Sequence, residues 1–458
     1  MNNIEGDSAA ISRRKFLKDT GRTTAASVLA MAAMPAVHAS GSDEIHVALI
    51  GCGGRGTGAV TQALATKGGP IKLIAMADVF QDRLKGSYDA LMGSGVAKNV
   101  TVTEDHKFLG YDSYRKAMDL LRPGDVAIFT TPLAFRWIHF GYAIDKKINV
   151  FMEKPLTADG PTSKIMLKLS DDSVAKGLKV GVGLMSRHAR PLQELHKRIQ
   201  DGELGEIMLM RGYRMQGPVG TFESPPRPAN IPELEYQIRR FHSFLWASGG
   251  CFNDFNIHHI DHLAWMKNAW PIKAQALGGR HYRGDAIDQN LDTYSVEYTF
   301  ADGAKMYFDG RCMDGAAGIY SSYVHGTKGI GIAAKFADCA PPSSIYKGWN
   351  MTKENMIWQS TDRSDPYQNE WDALIDAIRN DKPHNEAKRG VEASITCNMG
   401  RMAAHTGQEI TFEMALNSDQ RFAPDLEKLV MAGESPLKAG PDGKYPVPMP
   451  GQKGLKEY

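Results

Sequence analysis

The sequence has few of the features that mark several common classes of protein. Its 458 residues include only five cysteines, an odd number without a C-x-x-C pair, so no disulfide framework is indicated. No basic tract interleaved with aromatic residues occurs and the net charge is only +2, which argues against a nucleic-acid partner. After residue 40 no stretch approaches the run of about 18 apolar residues that a spanning helix needs. We therefore expect no stable membrane anchor.

The first 40 residues have the composition of an export signal. Arg13 and Arg14 adjoin one another, a mildly apolar, alanine-rich stretch follows at residues 23–36, and Val-His-Ala at 37–39 resembles a signal-peptidase site. This order predicts a twin-arginine signal, recognised by the twin-arginine export machinery, and a periplasmic or otherwise exported protein. A disordered basic arm is the alternative.

Residues 46–56 combine an apolar run of strand length with three glycines, and a helical pattern follows at 59–66. Such a turn lets backbone approach a pyrophosphate at a helix N-terminus. A second apolar run, 71–77, ends at Asp78, where a carboxylate can hold a ribose 2′-hydroxyl. A glycine-rich turn with a solvated aspartate is the alternative. The predicted nucleotide contacts in these two segments are Gly51, Gly53, Gly54, Arg55, Gly56 and Asp78.

The residues after Asp78 favour NAD over NADP. Val79 and Phe80 offer no cation for a 2′-phosphate, whereas Arg83 leaves NADP open.

The pattern of apolar runs changes near residue 185. Before it, continuous apolar runs alternate with helical patterns, which predicts a doubly wound parallel Rossmann sheet in an α/β fold. After it, short runs at 207–215, 274–282, 293–300 and 304–310 predict an α+β domain with a largely antiparallel open sheet. The expected organisation is a signal at 1–40, a Rossmann domain at 44–185, an α+β substrate and oligomerisation domain at 186–420, and a C-terminal arm at 421–458.

Glu153-Lys154-Pro155 directly follows a predicted strand of the first domain. Proline disfavours a helical conformation at Lys154, so an ammonium is held at the carboxyl edge of the sheet. Such a lysine can donate to substrate hydroxyls or stabilise an alkoxide. A surface salt bridge between Lys154 and Glu153 is the alternative.

The densest polar cluster lies at residues 249–265. As a helix it places Asp254, His258 and His262 on one stripe. Three interpretations compete. In the first, His258 is a general base, and Asp254 orients it or binds substrate; in the second, the two histidines and a carboxylate bind a metal; in the third, the histidines are buried and structural. We favour the first and expect no metal.

Taken together, Gly51-x-Gly53-x-x-Gly56, Thr131-Pro132, Glu153-Lys154-Pro155 and Asp254-x-x-x-His258-x-x-Asp261 resemble the motifs of the Gfo/Idh/MocA oxidoreductases. The resemblance covers residues from about 44 to 410. It implies a Rossmann domain, an open-sheet domain that often forms oligomer contacts, and sugars or cyclitols as substrates. It also implies a catalytic role for Lys154, with Asp254 and His258 in the substrate pocket. Thr131, Pro132, Glu153 and Lys154 are expected to contact the cofactor.

The sequence departs from the family pattern at two positions. Arg136 stands where members often carry histidine, and Asn256 stands where glycine is common. These departures leave the substrate open. The residues expected to contact substrate are Arg136, Arg187, His188 and Asp261.

The function expected from these features is NAD(P)-dependent oxidation or reduction of a secondary hydroxyl of a sugar or glycoside, with NAD tightly bound. The alternative is glycoside hydrolysis through transient C3 oxidation and elimination. A metal-dependent hydrolase and a non-catalytic sugar-binding protein are further alternatives. We expect a homo-oligomer. The proline-rich insert at 217–238 is expected to shape the site or to form a subunit contact, and the tail at 422–458 is expected to be a surface-wrapping arm or a subunit contact.

Overall fold

The computed structural model describes residues 43–281, 283–339, 342–430 and 433–458. The predicted export signal at residues 1–40 lies outside the described residues. Glu44–Tyr458 forms one unit. None of the helices within the described ranges is long and apolar enough to cross a membrane.

Six parallel strands form the first sheet, in the order β3-β2-β1-β4-β5-β6. β4 and β5 are buried along their whole length, which explains their continuous apolar sequences. The strand order reverses on either side of β1, and such a reversal leaves a crevice at the carboxyl edge. The six strands are β1 Ile45–Ile50, β2 Ile71–Asp78, β3 Lys107–Leu109, β4 Val126–Phe129, β5 Asn149–Met152 and β6 Val180–Val182.

Nine strands form the second sheet, in the order β14-β13-β12-β11-β7-β10-β9-β8-β15. β7 and β10 pair in parallel, and the other neighbours pair antiparallel. The predicted fold class, an α/β Rossmann sheet followed by a largely antiparallel open sheet, is therefore confirmed. These strands are β7 Ile207–Gln216, β8 Lys273–Gly279, β9 Thr293–Thr299, β10 Lys305–Cys312, β11 Ile319–Gly326, β12 Gly329–Lys335, β13 Ser344–Lys347, β14 Met356–Gln359 and β15 Ile410–Thr411.

Helices cover both faces of the first sheet and one face of the second. α1 and α2 pack on one face of the parallel sheet, and α4 and α5 pack on the other. The α-helices are α1 Gly54–Ala65, α2 Gln81–Met92, α3 Ser113–Asp119, α4 Arg136–Asp145, α5 Gly160–Ala175, α6 Arg190–Gln200, α7 Glu233–Arg239, α8 Leu245–Ser248, α9 Gly250–Lys267, α10 Pro366–Arg379, α11 Ala387–Thr406 and α12 Phe412–Asn417.

α10 returns from the second sheet to the first. Its Trp371 is fully buried and stacks on Phe151 of β5, with ring centroids 4.5 Å apart. Leu374 of the same helix packs in the cluster that holds α1 against the parallel sheet. A helix that follows the second sheet in the chain thus completes the packing of the first.

The C-terminal segment is anchored in the protein interior. The carboxylate of Glu457 accepts hydrogen bonds from Arg401 Nε and Nη2, both at 2.8 Å, and lies 2.7 Å from His405 Nδ1. These three residues are buried, and Phe422 packs with Trp246 in one apolar cluster. The tail therefore contributes to the core, whereas the sequence indicated a surface arm or a subunit contact.

Candidate active site

A cavity of about 570 Å³ opens at the carboxyl edge of the parallel sheet. The ends of β1, β2, β4 and β5 form one side, and α9 contributes residues to the other. The residues predicted from the sequence that line this cavity are Gly51, Gly53, Gly54, Arg55, Gly56, Asp78, Thr131, Pro132, Arg136, Glu153, Lys154, Asp254 and His258.

The glycine loop between β1 and α1 has the shape that a pyrophosphate requires. Gly51 has φ +98°, a conformation that favours glycine, and a Cβ at Gly56 would lie 2.2 Å from the Gly51 carbonyl oxygen. Nothing lies within 4 Å of the positions that side chains at Gly53 and Gly54 would take. Because α1 begins at Gly54, its first backbone N–H groups have no intrahelical partner. The loop therefore fits a dinucleotide phosphate.

Asp78 ends β2 at the edge of the same cavity. Its carboxylate accepts hydrogen bonds from Cys52 N at 2.6 Å and from Phe80 N at 2.8 Å, while burial raises its pKa. These two bonds hold the carboxylate where a ribose hydroxyl can reach it. Arg239 also lines the cavity, but its guanidinium forms a bidentate ion pair with Asp82 at 3.1 Å. The carboxylate at this end of the cavity fits the ribose of a dinucleotide, and Arg83 lines the same cavity.

Two of the predicted cofactor contacts pair with one another. Arg55 Nε donates to Glu153 Oε1 at 2.5 Å, and the guanidinium lies 4.8 Å above the ring of Tyr367. A Cβ at Gly183 would lie 2.5 Å from the Glu153 carboxylate, so glycine at 183 makes room for it. This ion pair connects the glycine loop to the end of β5, and both of its side chains line the cavity.

Arg136, predicted to contact the substrate, lines the cavity, and two of its donors are bound to the backbone. Its guanidinium is buried and donates from Nη1 to the Phe129 carbonyl at 2.7 Å and from Nη2 to the Thr131 carbonyl at 3.0 Å. Burial lowers the pKa of Arg136 to about 10. Because these donors are occupied by the backbone at the end of β4, the residue shapes the cavity wall.

Lys154 pairs across the cavity with α9. Its Nζ donates to the backbone carbonyl of Asp254 at 2.5 Å and lies 3.8 Å from Asp254 Oδ1. The alternative of a Lys154–Glu153 salt bridge does not form, because Glu153 is paired with Arg55. The segment after β5 thus places an ammonium beside a residue of α9.

Asp254 is held on its other side by a residue that the sequence did not single out. His242 Nε2 lies 3.2 Å from Asp254 Oδ2, and the imidazole lines the cavity. Burial alone would raise the pKa of Asp254, but Lys154 and His242 outweigh burial and lower it to about 2. The carboxylate is therefore ionised throughout the neutral range.

His258 lines the cavity one helical turn after Asp254. Burial lowers its pKa to about 4, although the negative charge of Asp338 opposes that shift. Its Nδ1 is buried without a hydrogen-bond partner among the described residues. The imidazole is therefore neutral at physiological pH and can accept a proton.

Asp338 and Arg214 form a second ion pair at the cavity. Arg214 Nη1 lies 3.3 Å from Asp338 Oδ1 and donates to the Phe255 carbonyl at 2.6 Å. The guanidinium also lies 4.9 Å above the Tyr320 ring. Neither residue was identified from the sequence, because Arg214 falls inside a predicted strand and Asp338 in a loop, with no motif around either.

Three predicted substrate contacts do not line the cavity. Arg187 Nε and Nη2 donate to both carboxylate oxygens of buried Asp261, at 2.8 to 3.1 Å. His188 Nε2 pairs with Glu386 at 2.8 Å. Their polar groups thus connect the turn after β6 to α9 and to the residue that precedes α11, and the structure does not bring Arg187, His188 and Asp261 together with the other predicted site residues.

The positions of the histidines on α9 do not support the interpretation that they bind a metal. His262 is buried and its Nε2 lies 2.7 Å from Ser322 Oγ, whereas His258 faces the cavity. Within the described parts of the chain, no group of three histidine, cysteine, aspartate or glutamate residues is placed to hold a metal ion.

Solved structures share this architecture. Aldose-aldose oxidoreductase from Caulobacter crescentus, complexed with glycerol, is 14% identical with a TM-score of 0.62, covering 80% of this chain and 99% of its own. Levoglucosan dehydrogenase, in complex with NADH and levoglucosan, is 15% identical with a TM-score of 0.62, covering 81% and 99%. Scyllo-inositol dehydrogenase from Lactobacillus casei is 18% identical with a TM-score of 0.59, covering 81% and 98%. No curated protein sequence matches the chain.

The cavity brings a glycine loop at the edge of the parallel sheet to face titratable residues from α9 and from the second sheet. Residues 192–331 match the model of the GFO/IDH/MocA C-terminal domain. The resemblance expected from the motifs is thereby confirmed: residues 192–331 match the C-terminal domain of the Gfo/Idh/MocA oxidoreductases, and the solved structures named above share the fold.

Proposed function

We propose that this protein oxidises or reduces a secondary hydroxyl of a sugar or glycoside, using NAD that stays bound between turnovers. The observation that carries the proposal is the meeting of Lys154, Asp254 and His258 in one cavity with the glycine loop and Asp78. An ammonium, an ionised carboxylate and a neutral imidazole are the groups that alcohol oxidation requires.

The cofactor fits the residues present. The amides around Gly53 and Gly54 would hold the pyrophosphate, and Asp78 would hold the ribose. A bound nicotinamide would supply a two-electron acceptor or donor at this edge of the sheet. The acidic residue at the end of β2 supports NAD over NADP.

The side chains of this chain carry the proton and the charge. The His258 imidazole accepts the hydroxyl proton of the substrate, because burial keeps it neutral. The Lys154 ammonium donates to the substrate oxygen and stabilises the negative charge that develops as the proton leaves. Asp254 holds that ammonium in place through its backbone carbonyl and its carboxylate.

The charges in the cavity favour an uncharged polyol over an acidic substrate. Lys154 lies beside Asp254 and Arg214 lies beside Asp338, so the two cations nearest to His258 on this side of the cavity already have carboxylate partners. A substrate carboxylate would have to compete with these partners. The similar structures include an aldose oxidoreductase and a levoglucosan dehydrogenase, which also supports a sugar as the substrate.

Retention of the cofactor is part of the proposal. It rests on the twin-arginine signal expected at residues 1–40, because that pathway exports proteins already folded and the periplasm offers no nicotinamide pool to draw on. A closed cycle, in which a second sugar or a later step returns the electrons, is then the consistent form of the reaction.

The test begins with protein purified from the periplasm without added nucleotide. We expect mass spectrometry of the denatured protein to detect NAD or NADH in about equimolar amount, and an empty protein would refute retention. The protein is then incubated with D-glucose, levoglucosan, scyllo-inositol and nitrophenyl glucosides while absorbance at the NADH band is followed. Reduction of the cofactor by a sugar supports the proposal, whereas release of nitrophenol without net NADH would replace it with glycoside hydrolysis.

Three variants separate chemistry from folding. Lys154→Ala and His258→Ala should each lower the rate of cofactor reduction by about 100-fold or more. Lys168→Ala is the matched control, because Lys168 forms an exposed ion pair with Asp172 on α5. Sugar binding with no cofactor reduction in the wild-type protein would indicate a non-catalytic binding protein.

A further inference from the structure

His242 reaches the cavity from a short turn, Phe241–Ser243, that follows the proline-rich insert. Its side chain is only 14% exposed, and its ring stacks on Phe255 with centroids 5.0 Å apart and planes 25° apart. A Cβ at Gly220 would lie 2.8 Å from the imidazole, and Gly220 has φ +57°. The insert and α9 therefore hold this ring in one orientation.

The hydrogen bonds of the imidazole determine which nitrogen carries the proton. The backbone N–H of Thr221 donates to His242 Nδ1 at 3.2 Å, so Nδ1 must provide a lone pair. The ring proton then lies on Nε2, which is 3.2 Å from Asp254 Oδ2. His242 is thus set to donate a hydrogen bond to the carboxylate.

Asp254 is consequently held from two sides. Its Oδ1 lies 3.8 Å from Lys154 Nζ, and its Oδ2 faces His242 Nε2. His258, one turn further along α9, is another titratable neighbour of Asp254, and Arg136 and Cys251 also interact with its charge. Without the bond from His242, the carboxylate could rotate about its side-chain torsions, and the Lys154 ammonium would lose a fixed partner.

We propose that His242 is a positioning residue for the reaction, which orients the Asp254 carboxylate and through it the Lys154 ammonium that faces the substrate hydroxyl. This inference rests on the proposed function. In this proposal the insert at 217–238 fixes the position of His242. The Thr221 backbone N–H binds the imidazole, and the absence of a side chain at Gly220 leaves room for it.

Two substitutions of His242 test separately the contribution of its hydrogen bonds and that of its aromatic ring. His242→Phe keeps an aromatic ring against Phe255 but removes both nitrogens, so we expect kcat to fall by about 10- to 100-fold with little change in KM, as misplacement of a reacting group does. His242→Gln keeps an N–H donor and an acceptor and should recover most of kcat. Failure of Gln to recover more activity than Phe would overturn the proposal.

A double-substitution cycle tests whether His242 acts through Asp254. In the Asp254→Asn background, His242→Phe should cost less than about 2-fold, because the carboxylate that it orients is already gone. Equal losses in both backgrounds would overturn the proposal. His196→Phe is the matched control, because His196 also stacks on an aromatic ring, Trp265, but does not line the cavity.

Crystal structures of the His242 variants provide a measurement that needs no substrate. We expect the Asp254 carboxylate to turn away from Lys154 in His242→Phe and to keep its position in His242→Gln, with thermal unfolding confirming that both variants fold. An unmoved carboxylate in the Phe variant would refute the positioning role. If no sugar reduces the cofactor, the proposed function fails, while these structures still decide whether His242 orients Asp254.

Discussion

Protonation of His258 should shut the reaction off far below the pH at which an ordinary histidine titrates. Burial lowers the pKa of His258 to about 4, from the usual value of about 6.5. The base must be neutral to accept a proton, so kcat/KM should be constant at neutral pH and fall as the pH drops through about 4. At pH 5 the imidazole would be about 90% neutral, against about 3% for an unperturbed histidine, a difference of about 30-fold.

Substitution of Asp338 should shift the pKa of His258 in a direction that the structure predicts. The Asp338 carboxylate favours the charged imidazolium, and it also pairs with Arg214 at 3.3 Å. Asp338→Asn removes that negative charge and leaves the Arg214 cation unbalanced, so the pKa of His258 should fall further. The acid limb of kcat/KM should therefore move to lower pH.

Two measurements check the prediction. Nuclear magnetic resonance of protein labelled at the histidine ring carbons follows the titration directly, with His258→Asn used to assign the signal, and it requires no turnover. The acid limb of kcat/KM is then compared with that titration, and circular dichroism at each pH confirms that the protein is folded. A titration near pH 6.5, or an upward shift in Asp338→Asn, would refute the reasoning.

Three further substitutions test the cofactor site and the anchored tail. Glu457→Gln should lower the free energy of unfolding by about 3–5 kcal/mol in urea denaturation, because it leaves a buried guanidinium without its counter-charge; the exposed Glu434→Gln should leave the midpoint unchanged. Asp78→Ala should weaken NAD binding by about 10- to 100-fold in calorimetry, while the affinity for NADP falls less. Equal losses for the two cofactors would contradict the role of Asp78 in binding the ribose. Gly56→Ala should abolish nucleotide binding, since its Cβ would lie 2.2 Å from a loop carbonyl oxygen, whereas Gly86→Ala, with nothing within 4 Å, should bind as the parent does.

The second sheet shows where sequence patterns stop being informative. The predicted runs at 207–215, 293–300 and 304–310 correspond to β7, β9 and β10, which alternate in burial along much of their length. The strands between Ile319 and Gln359 were not predicted. β12, for example, is buried along most of its length and rich in glycine and alanine, so it has neither alternation nor a strong apolar run.

The histidines of the site illustrate the same limit. His258 was identified because Asp254 stands four residues before it on one helix, a spacing that sequence alone displays. His242 belongs to a turn, and its partner lies twelve residues away across a change of direction, so no periodicity connects them. Arg187 and His188 were expected at the substrate, but their side chains found partners, such as Asp261, that are remote in the sequence.

The sequence by itself determined the parallel sheet and the residues at its carboxyl edge. Chain direction and buried apolar runs place every βα turn of such a sheet on one edge, so Gly51, Asp78 and Lys154 had to meet there. Only the tertiary structure decided which residues face them and which charges are already paired. His242 and Asp338 come from loops whose path depends on packing between remote segments, and charged side chains pair with whatever partner that packing brings within a few ångströms.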